Sequence, residues 1–178
     1  MHDKEGITMK HNVVKELAVT GISIALVFVA TLLINIRLPI GQGGLIHLGT
    51  VPLFLAAILY GKRTGALAGA VGMGLFDLMG GWTLWAPATF LIVGLMGYVV
   101  GLVAEKKDNV VGYVIGIVLA CIIKVGGYYI AEALIYGNWI QPVLSIPGNL
   151  MQIGVAAVVV LPIAGTLKKV LHKRGCNA

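Results

Sequence analysis

The sequence predicts an all-α membrane protein, a bundle of about six transmembrane helices. Of its 178 residues, 58% are hydrophobic and only 11% are charged, whereas soluble domains carry about 25% charged residues. A soluble fold of this length cannot bury so much apolar surface, so the surrounding solvent is expected to be lipid. One spanning helix needs roughly 20 apolar residues, so six helices with short loops leave no room for a soluble catalytic domain.

Short polar or glycine-rich segments between the apolar runs set the expected helix boundaries. A loop at 37–44 contains Pro39 and three glycines, and Lys62 and Arg63 mark a turn. The first apolar run is too long for a typical signal peptide, so we expect a retained helix. One membrane domain, 1–178, is expected, with the bundle at about 13–170 and cytoplasmic tails at 1–12 and 171–178. The expected spans are 13–36, 45–60, 64–80, 85–104, 110–136 and 143–167.

The positive charges predict the orientation, because they lie in short clusters between apolar runs. If both termini are cytoplasmic, eleven of the thirteen Lys and Arg residues lie inside, which matches the positive-inside rule. Only Arg37 then lies outside, and Lys124 falls within a span. The net charge of +6 is thereby explained without a nucleic-acid partner. The eleven are Lys4, Lys10, Lys15, Lys62, Arg63, Lys106, Lys107, Lys168, Lys169, Lys173 and Arg174.

The span at 110–136 carries three polar side chains spaced four residues apart. Lys124, Tyr128 and Glu132 therefore lie along one helix face, which we expect to point into the bundle. Glu132 can accept hydrogen bonds from a ligand, Tyr128 can stack on a planar ring, and Lys124 can form the cavity floor or neutralise a carboxylate. The alternative is an internal ion pair that only fixes helix packing.

Other polar residues fall at the same expected membrane depth, near the outer face, and predict a cavity open to that side. Asn149 and Gln152 share a helix face and can pair with a planar heterocycle, or else bond to a neighbouring helix. Asp77 is a further ligand candidate or a helix cap, and His47 adjoins a glycine-rich loop. Trp85 is either a stacking residue or part of the interfacial aromatic belt.

Small residues recur at spacings of three and four residues in three expected helices, where they allow close helix approach. Ala18, Gly21 and Ala25 form one such stripe in the first span. Two further stripes follow, at Gly65, Gly69 and Gly72 and at Gly94, Gly97 and Gly101. Each stripe serves either internal packing or docking of another membrane protein.

Motifs for independent catalysis are absent from the sequence. There is no phosphate-binding P-loop, no HExxH zinc motif, and no Ser or Cys placed with a base. We therefore expect no enzyme activity, no metal site, no covalently bound cofactor and no ATPase site. Energy for any pumping has to come from a partner or an ion gradient.

Several stretches together resemble the substrate-binding S components of energy-coupling factor (ECF) vitamin transporters. They are HLGTVPLFLAAILYG at 47–61, GALAGAVG at 65–72, DLMGG at 77–81, APATF at 86–90 and PGNLMQ at 147–152. The resemblance covers about residues 15–170. It implies a six-helix bundle in the bacterial cell membrane that binds one small vitamin or precursor near the outer face.

The resemblance also implies partners: a transmembrane T component and two cytoplasmic ATPase subunits, which alone use ATP. In that family the small residues of the first helix form the docking face, so Ala18, Gly21 and Ala25 would take that role. The pattern looks closest to members for hydroxymethylpyrimidine or pyridoxine, with riboflavin as the alternative. Thr50 and Val93 depart from residues common in relatives.

Three other functions stay open on the sequence. A self-sufficient secondary transporter or channel predicts inverted repeats or broken helices at mid-membrane, and neither is visible. A small membrane enzyme would use Asp77 and Glu132 as acid and base. A purely structural subunit would not need to bury Glu132 and Lys124.

Overall fold

The computed structural model describes residues 2–37 and 45–173 and has a helical fold with one short strand pair. Strands β1 and β2 pair antiparallel, with Ile36 opposite Ile46. A 3-10 helix at Gln141–Ser145 leads directly into the last helix. In chain order the elements are α1 (His2–Leu33), β1 (Asn35–Arg37), β2 (Leu45–His47), α2 (Thr50–Met79), α3 (Ala86–Lys106), α4 (Val110–Tyr136) and α5 (Ile146–Lys173).

Helix α4 has the predicted boundaries, 110–136, and local signals explain both ends. The Asn109 side chain accepts a hydrogen bond from the Gly112 N–H at 2.9 Å and caps the first turn. Gly137 ends the helix in the left-handed conformation, at φ 63°, which costs little without a side chain. The face that carries Lys124, Tyr128 and Glu132 is therefore rigidly placed.

Helix α2 is broken at Gly61, close to the turn predicted at Lys62 and Arg63. Gly61 has φ 87° and ψ 178°, a conformation almost restricted to glycine. The break leaves the Lys62 N–H without a helical partner, and Glu105 of α3 accepts from it at 2.9 Å. Glu105 also pairs with Lys62 Nζ at 2.7 Å. The five α-helices thus contain six straight helical segments.

The region between the first two helices differs from the prediction. The expected spans 13–36 and 45–60 are wrong at their facing ends, since α1 ends at Leu33 and α2 begins at Thr50. The residues between them include strands β1 and β2. The hydrogen bonds between these strands satisfy backbone N–H and C=O groups that a helix would otherwise satisfy. His47 therefore lies on β2. The remainder of the expected loop, 38–44, lies outside the described residues.

The predicted tails also differ from the structure. Backbone helix continues without interruption through 2–12, whereas the part of α1 apolar enough to cross a membrane begins at Val13, as predicted. At the other end α5 continues to Lys173, six residues beyond the expected end at 167. Residues 174–178 of the expected tail lie outside the described part of the chain.

The helices pack around an apolar core and present apolar side chains outward. Leu53, Phe54, Val93 and Met96 are fully buried, while large side chains such as Leu91 are exposed on the outer surface. Helices apolar on both faces are typical of proteins surrounded by lipid. In the part of the chain that the structure describes, four segments are long and apolar enough to cross a membrane: Val13–Leu33, Ala86–Lys106, Val110–Tyr136 and Gln141–Leu171.

Gly65 and Gly69 of the α2 stripe face α3 and bring the two backbones into contact, while Gly72 faces α1. A Cβ atom added at Gly97 would lie 2.1 Å from the carbonyl oxygen of Gly65, and one at Gly65 would lie 2.7 Å from that of Gly97. Internal packing is therefore the role of these two stripes. The stripe on α1 is different, because Ala18, Gly21 and Ala25 are exposed and a Cβ at Gly21 would meet no atom within 4 Å.

Candidate ligand-binding cavity

A partly open cavity lies at one end of the bundle, away from the basic residues Lys62, Lys106 and Lys168. It contains about 450 Å³ of space unfilled by atoms, with the open solvent at its mouth included. Side chains from β2, α2, α3, α4 and α5 meet there. The lining residues are His47, Asp77, Trp82, Trp85, Thr89, Lys124, Tyr128, Glu132, Asn149 and Gln152.

All eight residues predicted to bind substrate line this one cavity. Trp82 and Thr89 also line it and were not among the predicted site residues. Trp82 lies in the turn before α3. Thr89 carries no signal in the sequence, because an isolated threonine in an apolar helix is ordinary. Only the rotation of α3 against its neighbours places its hydroxyl at the cavity.

The floor of the cavity is formed by a buried lysine on α4. Lys124 is 2% exposed, and its Nζ donates to Gln152 Oε1 of α5 at 2.7 Å. The bond joins two of the predicted residues across two helices. An ion pair between Lys124 and Glu132, the packing alternative, is not formed; among the side chains that the structure describes, ion pairs join Lys62 to Glu105 and Lys168 to Asp108.

A chain of hydrogen bonds crosses one wall of the cavity. Thr89 Oγ1 donates to Asp77 Oδ2 at 2.5 Å and lies 3.0 Å from the Tyr128 hydroxyl. The three side chains come from α3, α2 and α4, so the chain ties three helices together. Asp77 does not cap α3, the alternative considered from the sequence, since that helix begins without a side-chain cap.

Several buried polar atoms at the cavity have no partner among the described residues. They include Glu132 Oε2, Trp85 Nε1 and His47 Nδ1. Trp85 and Ser145 lie close to the Glu132 carboxyl group, but Ser145 donates instead to the Pro142 carbonyl at 2.9 Å. Leaving such an atom buried and unpaired costs about 1–3 kcal/mol. These atoms are therefore positioned for hydrogen bonds with a molecule in the cavity.

His47 contributes a neutral imidazole from the edge of the strand pair. Burial, and then the positive charge of Lys124, lowers the pKa of His47 to about 3. A neutral imidazole has one donor and one acceptor nitrogen. His47 can therefore pair with either kind of polar group on a ligand.

Aromatic rings surround the cavity mouth. The Trp82 and Trp85 rings meet edge to face at a centroid distance of 5.4 Å, and Trp85 meets Tyr136 at 6.1 Å. Nearby, the Tyr129 hydroxyl donates to the Trp139 carbonyl at 2.6 Å and holds the segment after α4. Rings locked in this way offer flat apolar surface to a planar ligand.

The chemistry available at the cavity is recognition by hydrogen bonding and stacking. Among the side chains that the structure describes, no three from His, Cys, Asp or Glu come close enough to share a metal ion. The cavity combines carboxylates, amides, one ammonium group and indoles. Such a set suits a small, planar, polar molecule.

Comparison with known proteins identifies the family. Residues 11–169 match the family model described as ECF-type riboflavin transporter, S component. The thiamine precursor transporter HmpT of Lactococcus lactis subsp. cremoris (strain MG1363) is 29% identical over 167 residues, which is 94% of this chain and 93% of that protein.

Two solved structures share the fold. One is the S-component for biotin from an ECF-type ABC transporter, with TM-score 0.68, 18% identity, and coverage of 89% of this chain and 93% of that one. The other is ThiT from Listeria monocytogenes, with TM-score 0.60, 19% identity, and coverage of 90% and 94%. The family consists of integral membrane subunits that bind substrates for transport and are not enzymes. This chain belongs to the family of S components of ECF transporters.

Proposed function

We propose that this S component captures a small heterocyclic vitamin or vitamin precursor, of the hydroxymethylpyrimidine or pyridoxine type, in the cavity described above. The observation that carries the proposal is the set of unpaired buried atoms of Glu132, Trp85 and His47 around one space. The similarity to a thiamine precursor transporter supports the pyrimidine class.

Each lining residue has a role in this proposal. Glu132 accepts from a ligand N–H or O–H, and Trp85 donates its indole N–H or stacks on the ring. Lys124 and Gln152 form the floor, and Asn149 adds a second amide from the face of α5 that carries Gln152. Amides and carboxylates together match the alternating donors and acceptors of a heterocycle edge. Tyr128, Asp77 and His47 complete the wall.

Riboflavin is the second candidate, favoured by the description of the family model that matches 11–169. A three-ring isoalloxazine with its ribityl chain needs more of the cavity than a single pyrimidine or pyridine ring. The two candidates therefore differ in how far the ligand would extend into the open mouth between the tryptophans.

For transport, the chain would dock on a transmembrane T component that is driven by two cytoplasmic ATPase subunits, and ATP would be used only there. The exposed Ala18, Gly21 and Ala25 stripe on α1 is the proposed docking face. This assignment is supported by a comparison of the three stripes. The stripes of α2 and α3 pack against neighbouring helices, whereas a Cβ placed at Gly21 would meet no atom within 4 Å.

In the membrane, the proposed arrangement is one domain, 1–178, with six spans and cytoplasmic termini in a bacterial cell membrane. The break at Gly61 supports two spans within α2, since the chain changes direction between its segments. Lys62, Lys106 and Lys168 lie at the end opposite the cavity, so the positive-inside rule puts the cavity on the outer side.

The test is ligand binding to the detergent-purified protein by calorimetry, with hydroxymethylpyrimidine, pyridoxine, thiamine and riboflavin as probes. We expect one heterocycle to bind, and Glu132→Gln to weaken it about 10- to 100-fold, the effect of losing a charged hydrogen bond. Glu105→Gln is the matched control, because its carboxylate lies far from the cavity lining, at the Gly61 break. Unchanged affinity in Glu132→Gln removes this residue from the site, and failure of every probe to bind refutes the substrate class.

A further inference from the structure

Thr89 differs from the helical hydroxyl residues Ser23 and Thr31 in where its hydroxyl bonds. Ser23 and Thr31 of α1 turn back to the carbonyl four residues earlier, at 2.8 and 2.7 Å, which is the ordinary behaviour of a helical hydroxyl. Thr89 is 2% exposed and instead bonds across helices, to Asp77 and Tyr128. Its side chain is therefore used to join two cavity residues.

The direction of these hydrogen bonds follows from counting protons. A carboxylate only accepts, so the single hydroxyl proton of Thr89 goes to Asp77 Oδ2. The Thr89 oxygen can then only accept, and the bond at 3.0 Å has to use the proton of the Tyr128 hydroxyl. Tyr128 has no second proton, so its oxygen offers the cavity lone pairs alone.

We propose that Thr89 is a positioning residue that sets Tyr128 as a hydrogen-bond acceptor, so that this wall of the cavity selects a ligand N–H or O–H group. The inference rests on the proposed function, because it deepens the substrate preference of the same cavity. It adds Thr89 to the residues that determine specificity. Thr89 would act on the ligand through Tyr128, and it was not among the predicted site residues.

The neighbouring groups are consistent with this preference. Glu132, two turns along α4 from Lys124, presents an unpaired carboxylate oxygen to the same cavity. Across from it the Trp85 indole offers only a donor. A ligand edge with an amino group beside a ring nitrogen supplies a donor for Tyr128 or Glu132 and an acceptor for Trp85. An oxo group in place of the amino group would put an acceptor against Tyr128 and Glu132. Both of these groups also accept, so no hydrogen bond would form there.

The binding test compares two probes, 4-amino-5-hydroxymethyl-2-methylpyrimidine and its 4-oxo counterpart, on the intact purified protein. Wild type is expected to prefer the amino compound. Thr89→Val keeps the shape but frees the Tyr128 proton to turn toward the ligand, so the preference is expected to fall about tenfold. Thr89→Ser keeps the hydroxyl, so this variant is expected to keep the wild-type preference for the amino compound.

The matched control is Thr20→Val, which removes a buried hydroxyl from another contact between helices, Thr20 to Thr64 at 3.2 Å. It is expected to leave the ratio of the two affinities unchanged. If Thr89→Val weakens both probes by the same factor, Thr89 only supports packing and the proposal is overturned.

A second measurement decides the proton direction without any ligand. The tyrosine doublet in ultraviolet resonance Raman spectra reports whether a phenol donates or accepts, and subtracting the Tyr128→Phe spectrum isolates Tyr128. A donor signature in wild type that is lost in Thr89→Val supports the proposal, and an acceptor signature in wild type overturns it. If wild type binds neither pyrimidine, the proposed substrate class fails, while the Raman result still decides the role of Thr89.

Discussion

Replacing Gly97 with alanine tests the packing of α2 against α3 quantitatively. The added methyl carbon would lie 2.1 Å from the Gly65 carbonyl oxygen and 2.4 Å from its carbonyl carbon, whereas relaxed contacts need about 3.5 Å. Both obstructing atoms are backbone, so the helices have to separate by roughly 1 Å or more. Overpacking typically costs 1–3 kcal/mol, and we expect about 3 kcal/mol here.

Part of that loss is offset by helix propensity, which favours alanine over glycine by about 1 kcal/mol. The net loss in the free energy of unfolding is therefore about 2 kcal/mol for Gly97→Ala. For a chain of this size the midpoint of thermal unfolding should fall by about 4–8 °C. The assay is thermal unfolding of the detergent-purified protein, followed by tryptophan fluorescence.

Gly21→Ala is the matched control, because it has the same propensity gain and a Cβ that meets no atom within 4 Å. It should be neutral or slightly stabilising in the isolated protein. The difference between the two variants measures the steric term alone. A Gly97→Ala variant as stable as wild type, or an equal loss in Gly21→Ala, would refute the assignment of the α2 and α3 stripes to internal packing.

Two further predictions concern the docking face and the helix break. Ala25→Leu should abolish vitamin uptake by the complete transporter in vesicles while ligand affinity of the isolated protein stays unchanged; loss of both together would mean that Ala25 serves internal packing. Gly61→Ala should lower the free energy of unfolding by about 1–3 kcal/mol, because a residue with a side chain is strained at φ 87°. The control is Lys62→Ala, which removes the ion pair with Glu105 but leaves Gly61 in place. If both variants lose the same free energy of unfolding, the loss in Gly61→Ala does not come from backbone strain.

The sequence was most informative where a single helix determines the geometry. Lys124, Tyr128 and Glu132 are four residues apart on one helix, so their shared face follows from the helical repeat alone. The ends of α4 were also readable, because Asn109 and Gly137 are strong capping residues. Polar residues in other spans could be predicted to lie at the same depth because the basic loops predict an orientation.

Features that depend on how elements meet could not be read from the sequence. Strands β1 and β2 have three residues each, too few for an alternating pattern, and they exist because they pair with each other. Thr89 joins the cavity only through the rotation of α3 between α2 and α4. The role of Glu105 likewise depends on the end of α3 lying beside the break at Gly61.

The first helix contributes none of the lining side chains found among the described residues, although β2 and the four later helices all do. α1 packs mainly on α2, and its outward stripe of small residues faces away from the bundle. Substitutions that reshape the cavity therefore leave the outer surface of α1 unchanged, and substitutions on that surface leave the cavity unchanged. Selection can consequently alter the two surfaces independently, so the cavity can change its ligand while the proposed docking face on α1 stays the same.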